Sequence, residues 1–372
     1  QVGGVVEHPP IVERQTLGLA SLEDVALEVV SPVGRPPWPL SLHPHYAARA
    51  KLPVREAWKG VTVHRPRFRV VPRIGDADAA QSMAEALLPR LRALRERFPF
   101  DVVDAEFFWP DGPAALHLSR ALGVPFSIKA RGADIHYWGQ RPGIGEQIVE
   151  AGRAADGLLA VSAALKADMA ALGIPEDRIR VHYTGVDLDV FKPVDRPVAK
   201  ARLGVKGSLL VTPGALIPRK GQRLALEALE RLEGAILMIV GDGPDRKALE
   251  QAAGSRGLAG RVRFLGNRPH EELPGLLAAA DVMVLPSASE GLANVWVEAL
   301  ASGTPIVISD VGGAREVVDR PDAIAAAVRE LLAAPPAPAL VRAAAERFSW
   351  ERNARELRAH LGSLAGDISR AA

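Results

Sequence analysis

The 372-residue chain contains no cysteine, so a disulfide framework and a thiolate metal site are both excluded. No apolar run reaches the ~18 residues that a membrane-spanning helix needs. The opening residues, QVGGVVEHPP, lack the charged and apolar layout of a signal peptide, and there is no low-complexity tail. These absences together point to a cytoplasmic protein. Charge of one sign is also missing: 46 Lys and Arg against 44 Asp and Glu leave a net charge of +2, so no nucleic-acid partner is expected. The nine histidines form no H-x-x-x-H pattern, and neither a metal nor any other cofactor is expected. GDGPD (241–245) falls short of a full G-x-G-x-x-G, and no acid follows at the spacing a dinucleotide requires.

What is present is a balanced globular composition, 48% hydrophobic and 24% charged, in a chain long enough for two domains of roughly 100–200 residues each. From Gly207 onward short apolar runs alternate with helical periods. SLLVTPG, AILMIVGDG, RVRFLG, DVMVLP and TPIVISD read as strands, and KGQRLALEALERL, PDRKALEQAAGSRG and HEELPGLLAAA as helices. Nearly all-apolar strands in this alternation predict an α/β fold with a parallel sheet covered on both faces. The first half repeats the pattern less clearly. VALEVVSP, DVVDAEF, VPFSIKARG, GLLAVS and RIRVHYTG read as strands, GPAALHLSRALG and SAALKADMAALG as helices, the latter with Ser162 as its N-cap. Residues 35–73 are Pro-rich and read as irregular, 187–197 as an interdomain hinge. The expected domains are 1–187 and 188–349, with 350–372 as a helix packing back on the first. Before IVERQTLGLA the only candidate first strand is VGGVV.

Ligands of such sheets bind beyond the carboxyl ends of the strands. One such end runs PSASEGLANVWVEALASGTPIVISD, where Glu290 and Glu298 are separated by seven residues and Glu298 is the only charge between Gly291 and Ser309. A charge in so apolar a run is costly unless it is paired. The helix starting near Ala293 offers free N–H groups and a positive dipole end to a phosphate. At the end of another strand, GALIPRKG carries Arg219 and Lys220, two cations able to neutralise a diphosphate leaving group. Together these residues describe a pocket for a nucleotide-diphosphate sugar. On the other reading, Glu298 is a surface charge, Lys220 a solvated lysine, GDGPD a turn and His136 a packing residue.

The order of these motifs resembles glycosyltransferase family 4 over most of the chain, most strongly from Val181 to Val318. Glu290 and Glu298 match the family's E-x7-E, GALIPRKG its G-R-L-x-x-x-K-G, and TGVD (184–187) its N-G-V-D. SDVGGAREVV matches the segment that closes the pattern. The resemblance implies the GT-B fold, two Rossmann-like domains facing across a cleft, and retaining, metal-independent transfer from a UDP-, GDP- or ADP-sugar. It implies that Lys220, Glu290 and Arg131 are catalytic. For the donor it implies Gly214, Arg219, Lys220, Gly241, Arg268, Glu290 and Glu298, with Glu298 on the ribose and the backbone of Gly291, Leu292, Ala293 and Asn294 on the phosphates. On the acceptor side it implies Gly4, Glu106, Arg131, Asp134 and His136. Two departures stand out. The family arginine of G-R-L is Ala215, for which Arg219 is expected to substitute. The histidine that often precedes the acceptor-side glycine is Arg131, in an ARG-x-DI version that resembles one branch of the family.

Three readings are therefore open: a retaining glycosyltransferase acting on a glycan, lipid-linked or other cell-envelope acceptor; a sugar-nucleotide epimerase of GT-B shape; and a non-catalytic sugar-nucleotide-binding protein. A mixture of aromatics (Trp38, Trp58, Phe68) and cations (Arg55, Lys59, Arg65, Arg67, Arg69, Arg73) also predicts reversible docking of the first domain on an anionic membrane surface.

Overall fold

A computed structural model describes residues 10–71, 75–288, 290–312 and 324–368. The chain forms two compact units, Gln1–Thr184 with Trp350–Ala372, and Gly185–Ser349.

The first unit opens with helix α1 (Pro10–Ala20), strands β1 (Glu28–Val30) and β2 (Val33–Arg35), helix α2 (Pro44–Ala50), strands β3 (Arg55–Trp58), β4 (Val61–His64) and β5 (Arg67–Arg69), and helix α3 (Ala79–Arg97). There follow β6 (Val103–Ala105), α4 (Asp111–Leu122), β7 (Phe126–Ala130), α5 (Gly145–Ala154), β8 (Gly157–Ala160), α6 (Ala163–Ala171) and β9 (Ile179–Val181). β6 to β9 pair in parallel in sequence order. Every residue of β7 and β8 is buried, which is why these strands read as continuous rather than alternating apolar runs. Ser162 caps α6, its Oγ accepting from the Leu165 N–H at 3.0 Å.

Residues 35–73 correct the expectation of an irregular segment. β4 runs parallel to β1 and antiparallel to β3. Lys59 (φ 49) and Gly60 (φ 86) form the turn between β3 and β4, a pair of positive φ angles whose twist matches a two-residue hairpin. Val61 and Val63 are buried while Thr62 and His64 face outward, the alternation of a strand with one covered face. Helix α3, with buried Ala80, Met83, Leu87, Leu91 and Leu94 at helical spacing, contains Pro89. That proline sits in a pattern that otherwise reads as one helix, and α3 was absent from the sequence-based expectations.

The second unit comprises α7 (Arg196–Arg202), β10 (Leu209–Pro213), α8 (Gln222–Glu230), β11 (Ile236–Val240), α9 (Arg246–Ser255), β12 (Val262–Gly266), α10 (Leu273–Ala279), β13 (Val282–Leu285), α11 (Asn294–Ala301), β14 (Ile306–Ile308), α12 (Ile324–Ala333) and α13 (Pro338–Ala343). Among the described residues its sheet is parallel, in the order β12-β11-β10-β13-β14. The order reverses between β10 and β13, and such a reversal leaves a crevice at the strand ends. Leu210, Ile239 and Val284 of the sheet and Leu226 and Leu229 of α8 form the core.

The segment read as a hinge is held inside this unit. Asp187 Oδ1 accepts from the N–H groups of Asp189 and Val190, each at 3.1 Å. Arg342 donates to the carbonyls of Leu188 and Phe191, each at 2.8 Å. The chain passes between units at residues 184/185 and 349/350 instead. The final helix, α14 (Trp350–Ile368), packs on the first unit through Leu357 against Leu19 and Leu159.

Candidate active site

In the second unit the loops that leave β10 and β13 meet at the point where the strand order reverses. After β10 the chain makes a short 3-10 turn, Pro218–Lys220, and enters α8 through Gly221. After β13 it runs through Pro286 to Glu290 and enters α11. The Ala288 N–H donates to the Arg219 carbonyl at 2.7 Å, tying the loops together. Lys220 Nζ and Glu290 Oε1 form an ion pair in which both side chains are largely buried. Arg219 Nη1 lies 3.6 Å from the same oxygen. Two cations and one carboxylate from loops 70 residues apart thus converge beside the start of α11. Ala293 precedes that helix in extended conformation and has no side-chain oxygen to cap it, so among the described residues no side chain caps the first N–H groups of the helix.

Glu298 lies just past the first turn of α11. Its Oε1 is 3.1 Å from His270 Nε2, and the His270 ring packs edge-on against Phe191. The acid in the apolar run is therefore paired, by a histidine from the segment after β12 that the motif search did not include.

Gly214 and Gly241 end β10 and β11. A Cβ on Gly241, at φ 134, would stand 2.1 Å from the Gly214 carbonyl oxygen, so this glycine serves close approach of two strand ends. Ala215 is exposed and its carbonyl accepts from Gln222 Nε2 at 3.0 Å. Arg268 is engaged by Glu272 at 3.4 Å and by the Leu265 carbonyl at 3.1 Å, at the end of β12. Gly291, Ala293 and Asn294 are half-buried, and Leu292 is buried.

In the first unit, Arg131 follows β7 and pairs with Glu106, which follows β6. Its Nε also donates to the Glu106 carbonyl at 3.1 Å. Asp134 is buried and accepts from the N–H groups of Gly132 (2.7 Å), Phe108 (3.0 Å) and Arg131 (3.1 Å). Its carboxylate is thus spent on holding the loop rather than presented to an acceptor. His136 lies 2.8 Å from Asp168 at the surface. Gly4 and the VGGVV strand lie outside the described residues, as do Arg73 and most of VGGAREVV.

Sequence reasoning missed Gln15, Lys129 and His182. Gln15 of α1 accepts from Lys129 Nζ at 2.6 Å and donates to Glu106. Lys129, fully buried in β7, also lies 2.8 Å from His182 Nδ1. His182 Nε2 is 2.9 Å from the Asn353 carbonyl. A carbonyl only accepts, so Nε2 carries the proton and Nδ1 accepts from the lysine. Burial, reinforced by the Lys129 charge, pushes the His182 pKa down to about 3, in keeping with a neutral ring. The signal for Lys129 was in the sequence: it is the one charge in the strand FSIKA.

Burial, and then Arg131, pull the Lys129 pKa down from 10.5 to about 7. Between those values the unfolded chain binds the extra proton, so stability rises with pH across the window, by up to about 1.4 kcal/mol per unit. Below it, the penalty for burying the charge is fully present. We expect thermal unfolding of the wild type to show this upward slope above pH 7, and Lys129→Met to lose it. An unchanged slope in the variant would assign the pH dependence to other groups.

Comparison with known proteins places this geometry. The description Glycosyltransferase Family 4 matches residues 22–190, and Glycosyl transferases group 1 matches residues 198–355. The chain is 30% identical over 318 residues to TuaC of Bacillus subtilis (strain 168), named as a teichuronic acid biosynthesis glycosyltransferase, covering 83% of this chain and 77% of that protein. The chain belongs to glycosyltransferase family 4. It is also 33% identical over 301 residues to the D-inositol 3-phosphate glycosyltransferase of Frankia alni, covering 73% of each. The fold is shared with the crystal structure of Anabaena Alr3699/HepE in complex with UDP, at TM-score 0.69 and 22% identity over 81% of this chain and 86% of that one. It is shared too with sucrose-phosphate synthase from Thermosynechococcus elongatus, at TM-score 0.66 and 22% identity over 87% of each chain. The architecture is the GT-B fold and the activity that of a glycosyltransferase. Among the described residues no helix is long and apolar enough to cross a membrane, and no group of three His, Asp or Glu could hold a metal ion.

Proposed function

We propose that the protein transfers a hexosyl group from a nucleoside-diphosphate sugar to a glycan or lipid-linked cell-envelope acceptor, with retention of anomeric configuration. The observation that carries this reading is the meeting of Lys220, Arg219 and Glu290 at the strand-order reversal, beside an uncapped helix start. The helix start and the two cations take the diphosphate, Glu290 a sugar hydroxyl and Glu298 the ribose. Arg219, within 3.6 Å of Glu290, supplies the charge that Ala215 lacks. Lys220 stabilises the leaving diphosphate, one of whose oxygens accepts the acceptor proton on the same face of the sugar. The carboxylate pair that a glycosidase needs around one centre has no part in this scheme. The solved complex of HepE with UDP-glucose and the teichuronic acid role in the name of TuaC support a nucleotide sugar and an envelope acceptor respectively.

The test is a thermal-shift panel of UDP-, GDP- and ADP-sugars, in which a donor at 100 times its Kd stabilises by about 2.7 kcal/mol. Arg219→Ala should weaken the responding donor by about tenfold or more, because a hydrogen bond to a charged group contributes about 1.5–3 kcal/mol. Unchanged affinity would remove Arg219 from the site. Proton NMR of the product linkage checks stereochemistry, and an inverted anomer refutes the mechanism. Product formed from the donor without acceptor would favour the epimerase reading.

Membrane docking is ascribed to a smaller surface than the sequence offered. Arg65 is buried on Glu56, Arg67 donates to the Leu52 and Ala50 carbonyls, and Phe68 packs against the core. Lys59 is paired with Glu13 and lies over the half-buried Trp58 ring. What remains is an exposed apolar loop, Trp38, Leu40 and Leu42, together with the exposed cations Arg35, Lys51, Arg55 and Arg69. Co-sedimentation with anionic vesicles should fall when Trp38 is changed to Ser and as salt rises. A protein that stays in the supernatant at low salt would make the acceptor a soluble one.

A further inference from the structure

The contact between His270 and Glu298 belongs to a closed frame inside the second unit. Glu298 rides on α11, and among the described residues His270 is the one side chain that meets its carboxylate. An ionised carboxylate only accepts, so Nε2 of the histidine carries the proton and donates to Oε1 at 3.1 Å. Oε2 has no protein partner among the described residues, and the Glu298 side chain is still 14% exposed, so a ligand can reach it.

The imidazole is placed by contacts that do not pass through Glu298. His270 opens the 3-10 turn that leads into α10, after Pro269, whose carbonyl accepts from the Glu272 N–H at 3.0 Å. Its ring stands edge-on to Phe191, with centroids 5.4 Å apart and planes at 72°, and Phe191 is buried. Arg342 of α13 then joins this wall to α11: it donates to the Phe191 carbonyl at 2.8 Å and to the carbonyl of Ala301, the last residue of α11, at 2.9 Å. The histidine is therefore fixed relative to the helix that carries the acid, and it can impose an orientation on the acid rather than follow it. A glutamate held only at its backbone spreads over several rotamers. A donor fixed at its far end selects one, and the cost of ordering is met on folding instead of on binding.

We propose that His270 is a positioning residue of the donor site: it holds the Glu298 carboxylate in the orientation that accepts from the two hydroxyls of a nucleotide ribose, and so sets the preference for a ribonucleotide over a deoxy one. The inference rests on the donor reading above, in which Glu298 meets the ribose, and adds the residue that prepares it. His270 itself touches neither the sugar nor the phosphates in this scheme.

Calorimetry on the whole protein tests it, with UDP, GDP and ADP each set against its 2′,3′-dideoxy form. A diphosphate that binds the wild type should lose about three- to tenfold in His270→Asn, the contribution of one ordinary hydrogen bond; the asparagine nitrogen takes the place of Nδ1 and falls short of Glu298. The dideoxy form should bind the wild type more weakly and be unaffected by the change. His270→Gln, whose nitrogen reaches the place of Nε2, should recover most of the loss. In a Glu298→Ala background His270→Asn should cost nothing further, because the partner it acts through is gone. Thermal unfolding checks each variant, and His270→Phe, which keeps a ring against Phe191 and removes the donor, replaces the asparagine variant should that one fail to fold. Equal losses for the ribose and dideoxy forms would overturn the proposal, since a general loosening of the unit weakens both. So would unchanged affinity, a glutamine variant as weak as the asparagine one, or a further loss without Glu298. A dideoxy form that binds the wild type as tightly as its partner would sink it together with the ribose assignment, while the diphosphate site stood. If none of the diphosphates binds the wild type, the donor reading itself fails first.

Discussion

Lys220→Ala is expected to lower turnover by about 10²–10³ while the protein remains folded. A positioned charge on a developing oxyanion typically contributes that much to catalysis, and Lys220 is the cation brought closest to Glu290 at the strand-order reversal. The variant should stay folded because Arg219, 3.6 Å away, still faces the Glu290 carboxylate, which is therefore not stranded without a counter-charge. The loss should appear mainly in kcat, since the leaving diphosphate gains its extra charge in the transition state. Steady-state kinetics with a responding donor, beside circular dichroism of the variant, measure it. A folded variant that turns over at the wild-type rate would take Lys220 out of the mechanism.

Gly221→Ala is expected to destabilise the second unit by about 2–5 kcal/mol and to displace both site loops. Gly221 has φ 70, and an added Cβ would lie 2.1 Å from the Pro286 carbonyl oxygen. The left-handed backbone alone costs a residue with a Cβ roughly 1–2 kcal/mol, and forcing apart packed groups typically adds roughly 1–3 kcal/mol. The obstructed atom is backbone, in the segment that carries Glu290, so relief of the clash moves Glu290 away from Lys220. Gly234 provides the control: it has φ 68 and nothing within 4 Å of an added Cβ. Gly234→Ala should therefore show the backbone cost only. The midpoint should fall further for Gly221→Ala, by about 4–20 °C in total at the usual 2–4 °C per kcal/mol. Equal losses in the two variants would show that the approach of Pro286 carries no energy, and with it the argument that Gly221 sets the loop geometry.

The local devices of the second unit were legible because each depends on residues close in sequence. The apolar runs that became β10 to β14 and the start of α11 near Ala293 follow from hydrophobic period and turn chemistry, whereas Lys220, read as opening the next helix, lies in a short turn before α8. The oxygen of Ser162 caps α6 for the same reason, its partner being three residues away. The β3–β4 hairpin was harder to read. Prolines surround it, and its turn is Lys-Gly rather than a pair that announces positive φ. In α3 the interior Pro89 masked a stripe of buried residues.

By itself the sequence determined the fold class, the family and the segments that could carry charge to a diphosphate, since motif order and period are written along the chain. It also marked Glu298 as a charge that had to find a partner, because it lies alone in an apolar run, whereas Lys129 went unread although it is the one charge in FSIKA. Which partners they found was decided only by tertiary structure. His270 reaches Glu298 across 28 residues, Gln15 reaches Lys129 across 114, and Lys220 meets Glu290 across 70. The folded sheet alone brings its strand ends together, and the free energy of a buried charge depends on what surrounds it in space. For the same reason the basic stretch between Arg65 and Arg69, a candidate lipid contact by composition, became in part internal structure: folding placed Glu56 and the Leu52 carbonyl within its reach before any membrane could compete.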